Sequence, residues 1–269
     1  MSSINWFPGH MAKTLRDLRG IKNIDLILEV VDARAIHTSS NPALTIDWNK
    51  PKITIAFKAD LADVKKANEP NLLVGSIKDK GFKSIIIKKI NDVLGDKITK
   101  LKSKGLVSPQ FHILIVGLPN VGKSSLINFL TSNKRTNVEN RPGVTRTAQL
   151  IKINENIFMY DTPGVLVKKI DRDQDGYVLA LIGTIKKEVL PLNEIVHYAF
   201  SFYAQNYASS LSKRFNLSST AISYEDFLTQ VGTSFHFVTK NNKLDNEKII
   251  NFLYTEFTNG KVGRVNYEK

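Results

Sequence analysis

The chain has 269 residues, with 38 Lys+Arg against 25 Asp+Glu and a formal charge of +13. At 42% apolar and 23% charged it has globular composition, enough to bury a core in one large or two modest domains. It has no cysteine, which excludes disulfide frameworks, thiolate metal sites and cysteine nucleophiles, and its start shows neither a signal-peptide pattern nor any apolar run near the ~20 residues of a membrane span, so a cytoplasmic location is expected.

In chain order, a helical pattern at 11–20 leads into an apolar β-branched run at 24–31, then a second at 53–57. A helical stretch at 61–68, a short strand at 71–74 and a long helical pattern at 84–102 follow. Strands are expected at 111–116, 150–153 and 157–160, with a helix at 123–130. Such alternation predicts a doubly wound, mostly parallel α/β sheet. From about 176 apolar residues recur at helical spacing over 177–185, 192–207, 208–215, 224–231 and 245–257, with an extended piece near 235–238. Two domains are therefore expected, 1–175 and an all-α region 176–269.

The charge is unevenly placed. Residues 171–269 hold 11 basic and 11 acidic side chains, so the whole excess lies in 1–170. Nine lysines fall within 78–104 against three aspartates. This is either a solvated helix face or a contact for a polyanion.

The strongest chemical signal is G-x-x-x-x-G-K-S at Gly117, Gly122, Lys123 and Ser124, between a strand and a helix. The glycines let successive N–H groups turn toward phosphate oxygens, and the helix N-terminus adds partial positive charge. Lys123 reaches the terminal phosphates and the Ser124 hydroxyl ligates magnesium. Downstream, Asp161, Thr162, Pro163 and Gly164 end a strand. Asp161 there can hold the magnesium through water, and the Gly164 N–H can sense the terminal phosphate. Between them the segment 141–146 suits a switch loop whose Thr145 completes the magnesium shell. The three segments together indicate a guanine-nucleotide switch.

Guanine reading requires an aspartate accepting from N1–H and the 2-amino group, within an N-K-x-D pattern at a strand end. Asn242, Lys243, Leu244 and Asp245 match the letters, but residues 239–241 separate them from the preceding apolar run, and capping of the helix near Asp245 is the expected role. Upstream, the strand 53–57 runs directly into Phe57, Lys58, Ala59 and Asp60, and Ser76 and Ile77 end the next strand with backbone N–H groups available to guanine O6. This order places base recognition before phosphate recognition, a circular permutation, which compact domains tolerate. A conventional order using Asn242–Asp245 leaves the first 110 residues without a role.

The chain resembles the YlqF/RbgA ribosome-biogenesis GTPases, bacterial relatives of the mitochondrial ribosome-associated GTPases. The resemblance rests on Trp6, Phe7, Pro8, Gly9, His10 and Met11 near the start, on Val31, Asp32, Ala33 and Arg34 with Asn41 and Pro42, on the permuted motifs, and on Gly260, Gly263 and Arg264. It implies a circularly permuted P-loop GTPase domain, then a smaller helical domain that docks on rRNA. It also implies GTP and GDP as ligands, Mg2+ and K+ as cofactors, and an assembly factor of the large ribosomal subunit that hydrolyses GTP on pre-ribosomal particles. No membrane or DNA partner is expected, and the chain should be monomeric off the ribosome. The nucleotide site carried over comprises Phe57, Lys58, Ala59, Asp60, Ser76, Ile77, Asn120, Val121, Gly122, Lys123, Ser124, Ser125 and Gly164. Magnesium falls to Ser124, Thr145 and Asp161, potassium to Asn120, and catalysis to His10, Thr145 and Gly164. His10 is implicated because Val165 stands where many GTPases carry the water-orienting glutamine.

Two departures stand out. Phe57 replaces the asparagine of N-K-x-D, and losing its hydrogen bonds at ~1 kcal/mol each should weaken nucleotide affinity roughly tenfold or more. A rival reading follows, an RNA-binding scaffold with weakened or lost GTP affinity. The basic R-K-R-G-like cluster of the family's C-terminal domain is also missing, with Gly232 to His236 in its place.

Overall fold

The computed structural model describes residues 20–42, 49–64, 69–131, 138–139, 149–162, 164, 170, 172–185, 187–239, 241 and 243–269. Strand β1 (Leu26–Asp32) is wholly buried, Glu29 and Asp32 included, as a central strand of Leu, Ile and Val paired on both sides should be, and is followed by the short helix α1 (Ile36–Ser39). Then come β2 (Lys52–Phe57), β3 (Leu72–Val74), α2 (Phe82–Val93), α3 (Gly95–Ser103), β4 (Phe111–Val116) and α4 (Lys123–Leu130). The sheet is completed by β5 (Val138–Glu139), β6 (Gln149–Lys152) and β7 (Ile157–Asp161). The rest is helical: α5 (Asp173–Leu181), α6 (Leu192–Asn206), α7 (Ala208–Phe215), α8 (Tyr224–Ser234) and α9 (Asn246–Thr258).

Among the described residues the sheet has seven strands in the order β3-β2-β1-β4-β7-β6-β5. The first five run parallel, while β6 and β5 extend the sheet antiparallel. The mostly parallel α/β sheet followed by helices agrees with expectation. Chain order proceeds outward from β1 to β2 and β3 on one side and from β4 to β7 on the other. The crevice beyond the carboxyl ends of β1 and β4 is therefore a topological switch point, where open α/β sheets bind ligands.

Several expectations need correction. Of the helix expected over 61–68, residues 65–68 lie outside the described residues; in the described part Leu61 closes a three-residue 3-10 turn, Ala59–Leu61, and Ala62 is extended and bridges Val265. The long helix expected over 84–102 is two helices broken at Leu94. α2 buries Phe82, Ile86 and Ile90, one face at i, i+4 and i+8, whereas α3 buries nothing. Helix α5 begins at Asp173, before the expected boundary, and the extended piece near 235–238 is a lone bridge between Val238 and Leu244. The helix expected at 11–20 lies, apart from Gly20, outside the described residues.

Buried residues of the sheet and of the helical region form one continuous apolar cluster, from Ile24 through Tyr160 to Phe257 and Tyr267. No described helix is long and apolar enough to cross a membrane.

Candidate nucleotide site

Parallel pairing of β2, β1, β4 and β7 brings the ends of four strands to one edge of the sheet, and the motif residues come with them. The phosphate loop leaves β4 so close to β1 that a Cβ on Gly117 would lie 2.3 Å from the Val30 carbonyl oxygen. Val121 is buried, Ser124 and Ser125 are exposed, and Gly122 (φ +108°) opens α4. Lys123 is 7% exposed, and its Nζ donates to the carbonyls of Gly117 (3.1 Å) and Leu118 (3.0 Å). Burial pushes its pKa down to about 8, against the pull of Asp161.

β7 delivers Asp161 to the same place. Ser124 Oγ lies 3.5 Å from its Oδ2, and burial raises the Asp161 carboxyl above the usual range despite Lys123. Two oxygen donors converging beside the phosphate loop are the hard-ligand set magnesium prefers. The next residue, Thr162, donates from Oγ1 to the Ile115 carbonyl (2.5 Å), tying the start of the switch segment to β4. Gly164 packs onto the phosphate loop, where a Cβ would meet Pro119 Cα at 2.6 Å and Lys123 Nζ at 3.0 Å. Only a glycine approaches that closely.

On the base side, Lys58 adopts a left-handed conformation (φ +61°) and its Nζ donates to Asp32 Oδ2 (3.0 Å) and to the Asn120 carbonyl (2.6 Å). The lysine thus joins the base loop to the phosphate loop. The Ala59 N–H donates to the Gly75 carbonyl (3.3 Å), and Asp60 pairs with Lys78 Nζ at 2.6 Å, drawing together the two loops expected to read the base. Ser76 is buried and Ile77 exposed. Phe57 is 3% exposed, and its ring packs on the phosphate loop: a Cβ on Gly122 would fall 2.6 Å from Phe57 Cδ1. An aromatic strut occupies the place where an asparagine would otherwise hydrogen-bond.

A network the sequence did not reveal lies behind these loops. Arg34, 1% exposed, donates from Nε to Asp32 Oδ1 and from Nη2 to Oδ2, both at 2.9 Å. It also donates to the carbonyls of Thr258 (2.7 Å) and Ile182 (3.3 Å), at the C-terminal ends of α9 and α5, where helix dipoles favour a cation. Burial would raise the Asp32 carboxyl, but Arg34 and Lys58 together hold it below its usual range. Asp32 and Arg34 were visible only as part of the family resemblance; nothing in their spacing signals this role. One residue further along the same turn, the Gly183 carbonyl accepts from Asn120 Nδ2 (2.7 Å). An amide held by its nitrogen keeps its oxygen as the cation-binding end, which fits a potassium ligand.

The decoy behaves as a cap. The Asp245 side chain accepts from the Lys248 N–H (3.1 Å) at the start of α9. His10, Thr145, Val165, Asn242 and the segment 141–146 lie outside the described residues.

Comparison with known proteins bears on the family and the fold. A family model described as "50S ribosome-binding GTPase" matches residues 112–198. The "Probable ribosome biogenesis GTPase A" of Mycoplasma pneumoniae is 39% identical over 98% of this chain and 96% of its own length. The "Ribosome biogenesis GTPase A" of Bacillus pumilus is 32% identical over 99% of both chains. Among solved structures, the fold matches "GNP-bound YlqF from T. maritima" with a TM-score of 0.65 at 22% identity, covering 95% of this chain and 96% of that one. With full-length identity at this level, the chain belongs to the ribosome biogenesis GTPase A family.

Proposed function

We propose that this chain is a GTP-hydrolysing assembly factor that acts on the large-subunit precursor and contacts rRNA. The family membership supports guanine-nucleotide binding and GTPase activity. The observation that carries the site-level reading is the convergence of Lys123, Ser124, Asp161 and Gly164 with the Lys58–Asp60 loop at one sheet edge.

In this reading the backbone N–H groups of 120–125 and Lys123 bind the phosphates, Asp60 reads guanine, and Ser76 and Ile77 close on its O6. Ser124 and Asp161, with Thr145, hold Mg2+, which neutralises developing phosphate charge when bound. Asn120 holds K+ beside the phosphates. Gly164 reports the terminal phosphate to the chain beyond it, and His10 orients the attacking water in place of Val165. Phe57, rather than abolishing nucleotide binding, replaces polar ties with ring packing, which weighs against the scaffold reading.

The domains divide near residue 175, and the cytoplasm is the expected site of action. The lysine-rich helices α2 and α3 are the leading rRNA contact. Lys88, Lys100, Lys102 and Lys104 are exposed there, and residues 171–269 carry no net charge. The testing experiment is GTP turnover with and without large ribosomal subunits, alongside Asp60→Asn assayed with xanthine nucleotide. Stimulation by subunits and a switch to xanthine are expected. An Asp60→Asn protein that keeps guanine preference refutes the base-reading assignment.

A further inference from the structure

The turn that carries Asp60 is anchored on its N-terminal side, by the Ala59–Gly75 backbone bond and the pair between Asp60 and the solvent-exposed Lys78. It is a three-residue 3-10 turn with no buried side chain, closed by its own bonds from Leu61 N–H to the Lys58 carbonyl (2.9 Å) and from Ala62 N–H to the Ala59 carbonyl (3.1 Å). Short 3-10 segments of this kind open easily when nothing packs on them. A carboxylate that must accept two hydrogen bonds from one base edge needs better placement than that.

The last residues of the chain supply it. Val265 N–H donates to the Leu61 carbonyl and Asp63 N–H donates to the Val265 carbonyl, each at 3.1 Å, in a parallel bridge centred on Ala62. The Asp63 carboxylate accepts from Tyr207 Oη (3.0 Å) and from Lys269 Nζ (2.6 Å). Gly260 (φ +68°) sits against the Leu61 side chain, where a Cβ would lie 3.0 Å from its Cδ2. The tail is itself well seated. Val262, Val265 and Tyr267 are buried, the Tyr267 N–H donates to the Arg34 carbonyl (2.9 Å), and Glu268 Oε1 accepts from the Thr38 N–H (2.6 Å). The residues just after Asp60 and those just after Asp32 are thus tied to the same C-terminal segment. Asp32, in turn, holds Lys58.

We infer that the C-terminal segment 261–269 is a specificity-determining positioning element for guanine recognition, holding the Asp60 turn through the Val265 bridge. The inference rests on the reading of Asp60 as the base reader. Binding linkage is reciprocal, so guanine nucleotide in the site must also tighten the tail.

The test compares Val265→Pro, which deletes the N–H donated to Leu61, with Val265→Ala, which keeps both backbone bonds and trims only apolar bulk. The readout is the ratio of GTP to ITP affinity, because ITP lacks the 2-amino group and a ratio is insensitive to the fraction of folded protein. Val265→Pro should weaken GTP about tenfold and lower the ratio about threefold or more, the loss of one well-placed hydrogen bond, while Val265→Ala keeps the ratio. A Val265→Pro protein that binds nucleotide with the unaltered ratio overturns the inference. Should Val265→Pro not fold, hydrogen exchange on the unmodified chain decides. GDP slowing exchange at the Asp63 and Val265 amides supports the coupling, and identical exchange with and without GDP overturns it. Asp60→Asn separates the two levels. Failure to acquire xanthine preference removes the base-reading assignment and the inference with it. Acquired xanthine preference with an unaltered Val265→Pro ratio removes the tail's role alone.

Discussion

The contact between Phe57 and Gly122 is open to direct measurement. In Gly122→Ala the new Cβ would stand 2.6 Å from Phe57 Cδ1 and 3.1 Å from Cε1, against the ~3.5–4.0 Å of ordinary carbon contact. Overpacking of this kind costs ~1–3 kcal/mol. The backbone at φ +108° adds strain of ~1–2 kcal/mol for any L-residue, so the single variant should lose about 3–4 kcal/mol. Phe57→Leu alone, a shape change at a site 3% exposed, should cost about 1 kcal/mol. In the double variant the steric part is relieved and the backbone part is not. The two substitutions should therefore be less damaging together than their sum by about 1–2 kcal/mol. Urea unfolding of the four proteins gives the cycle, and fluorescent GDP titration reports whether the phosphate loop is restored in parallel. Additivity within about 0.5 kcal/mol would show that Phe57 does not brace Gly122, and the aromatic strut would have to be abandoned.

Lys123 should leave a signature in pH. Its folded pKa of about 8 lies below the unfolded value of 10.5, so the unfolded chain binds more protons between them and stability rises as pH rises through that window. Keeping the ammonium charged and buried costs about 3 kcal/mol at neutral pH, and comparison of urea unfolding of the unmodified chain and Lys123→Met from pH 7 to 10 should recover a rise of that order only in the former. Arg34→Met should destabilise by about 3–5 kcal/mol, because Asp32 loses its bidentate partner and the Ile182 and Thr258 carbonyls lose their donor; calorimetry checks this. For the lysine face, Lys88→Glu, Lys100→Glu and Lys102→Glu combined should weaken binding to a large-subunit rRNA fragment. The slope of log affinity against log salt should flatten by roughly 0.9 for each phosphate that is no longer neutralised, read by filter binding from about 50 to 200 mM KCl.

The sequence by itself determined the sheet and the chemistry attached to strand ends. β4 and α4 fall at the residues expected from periodicity, and with them the phosphate loop, because a buried strand, a glycine turn and an amphipathic helix are local patterns carried by adjacent residues. The permuted order was likewise legible, since strand 53–57 runs straight into Lys58 and Asp60. Local pattern misled where a tertiary partner competed with it: residues 62–64, just after the Asp60 turn, have helical letters, yet Ala62 is extended and buried because the C-terminal segment offers its backbone a partner at Val265. What required the tertiary structure were contacts between residues far apart in the chain. Phe57 reads as a lost hydrogen bond in sequence and proves to be a ring packed on Gly122. Arg34 enters the sequence reading only as part of a family motif, and is buried between the ends of two helices, where Asp32 neutralises it and backbone carbonyls accept from it. Such roles depend on which distant groups surround a side chain after folding, and only packing decides that.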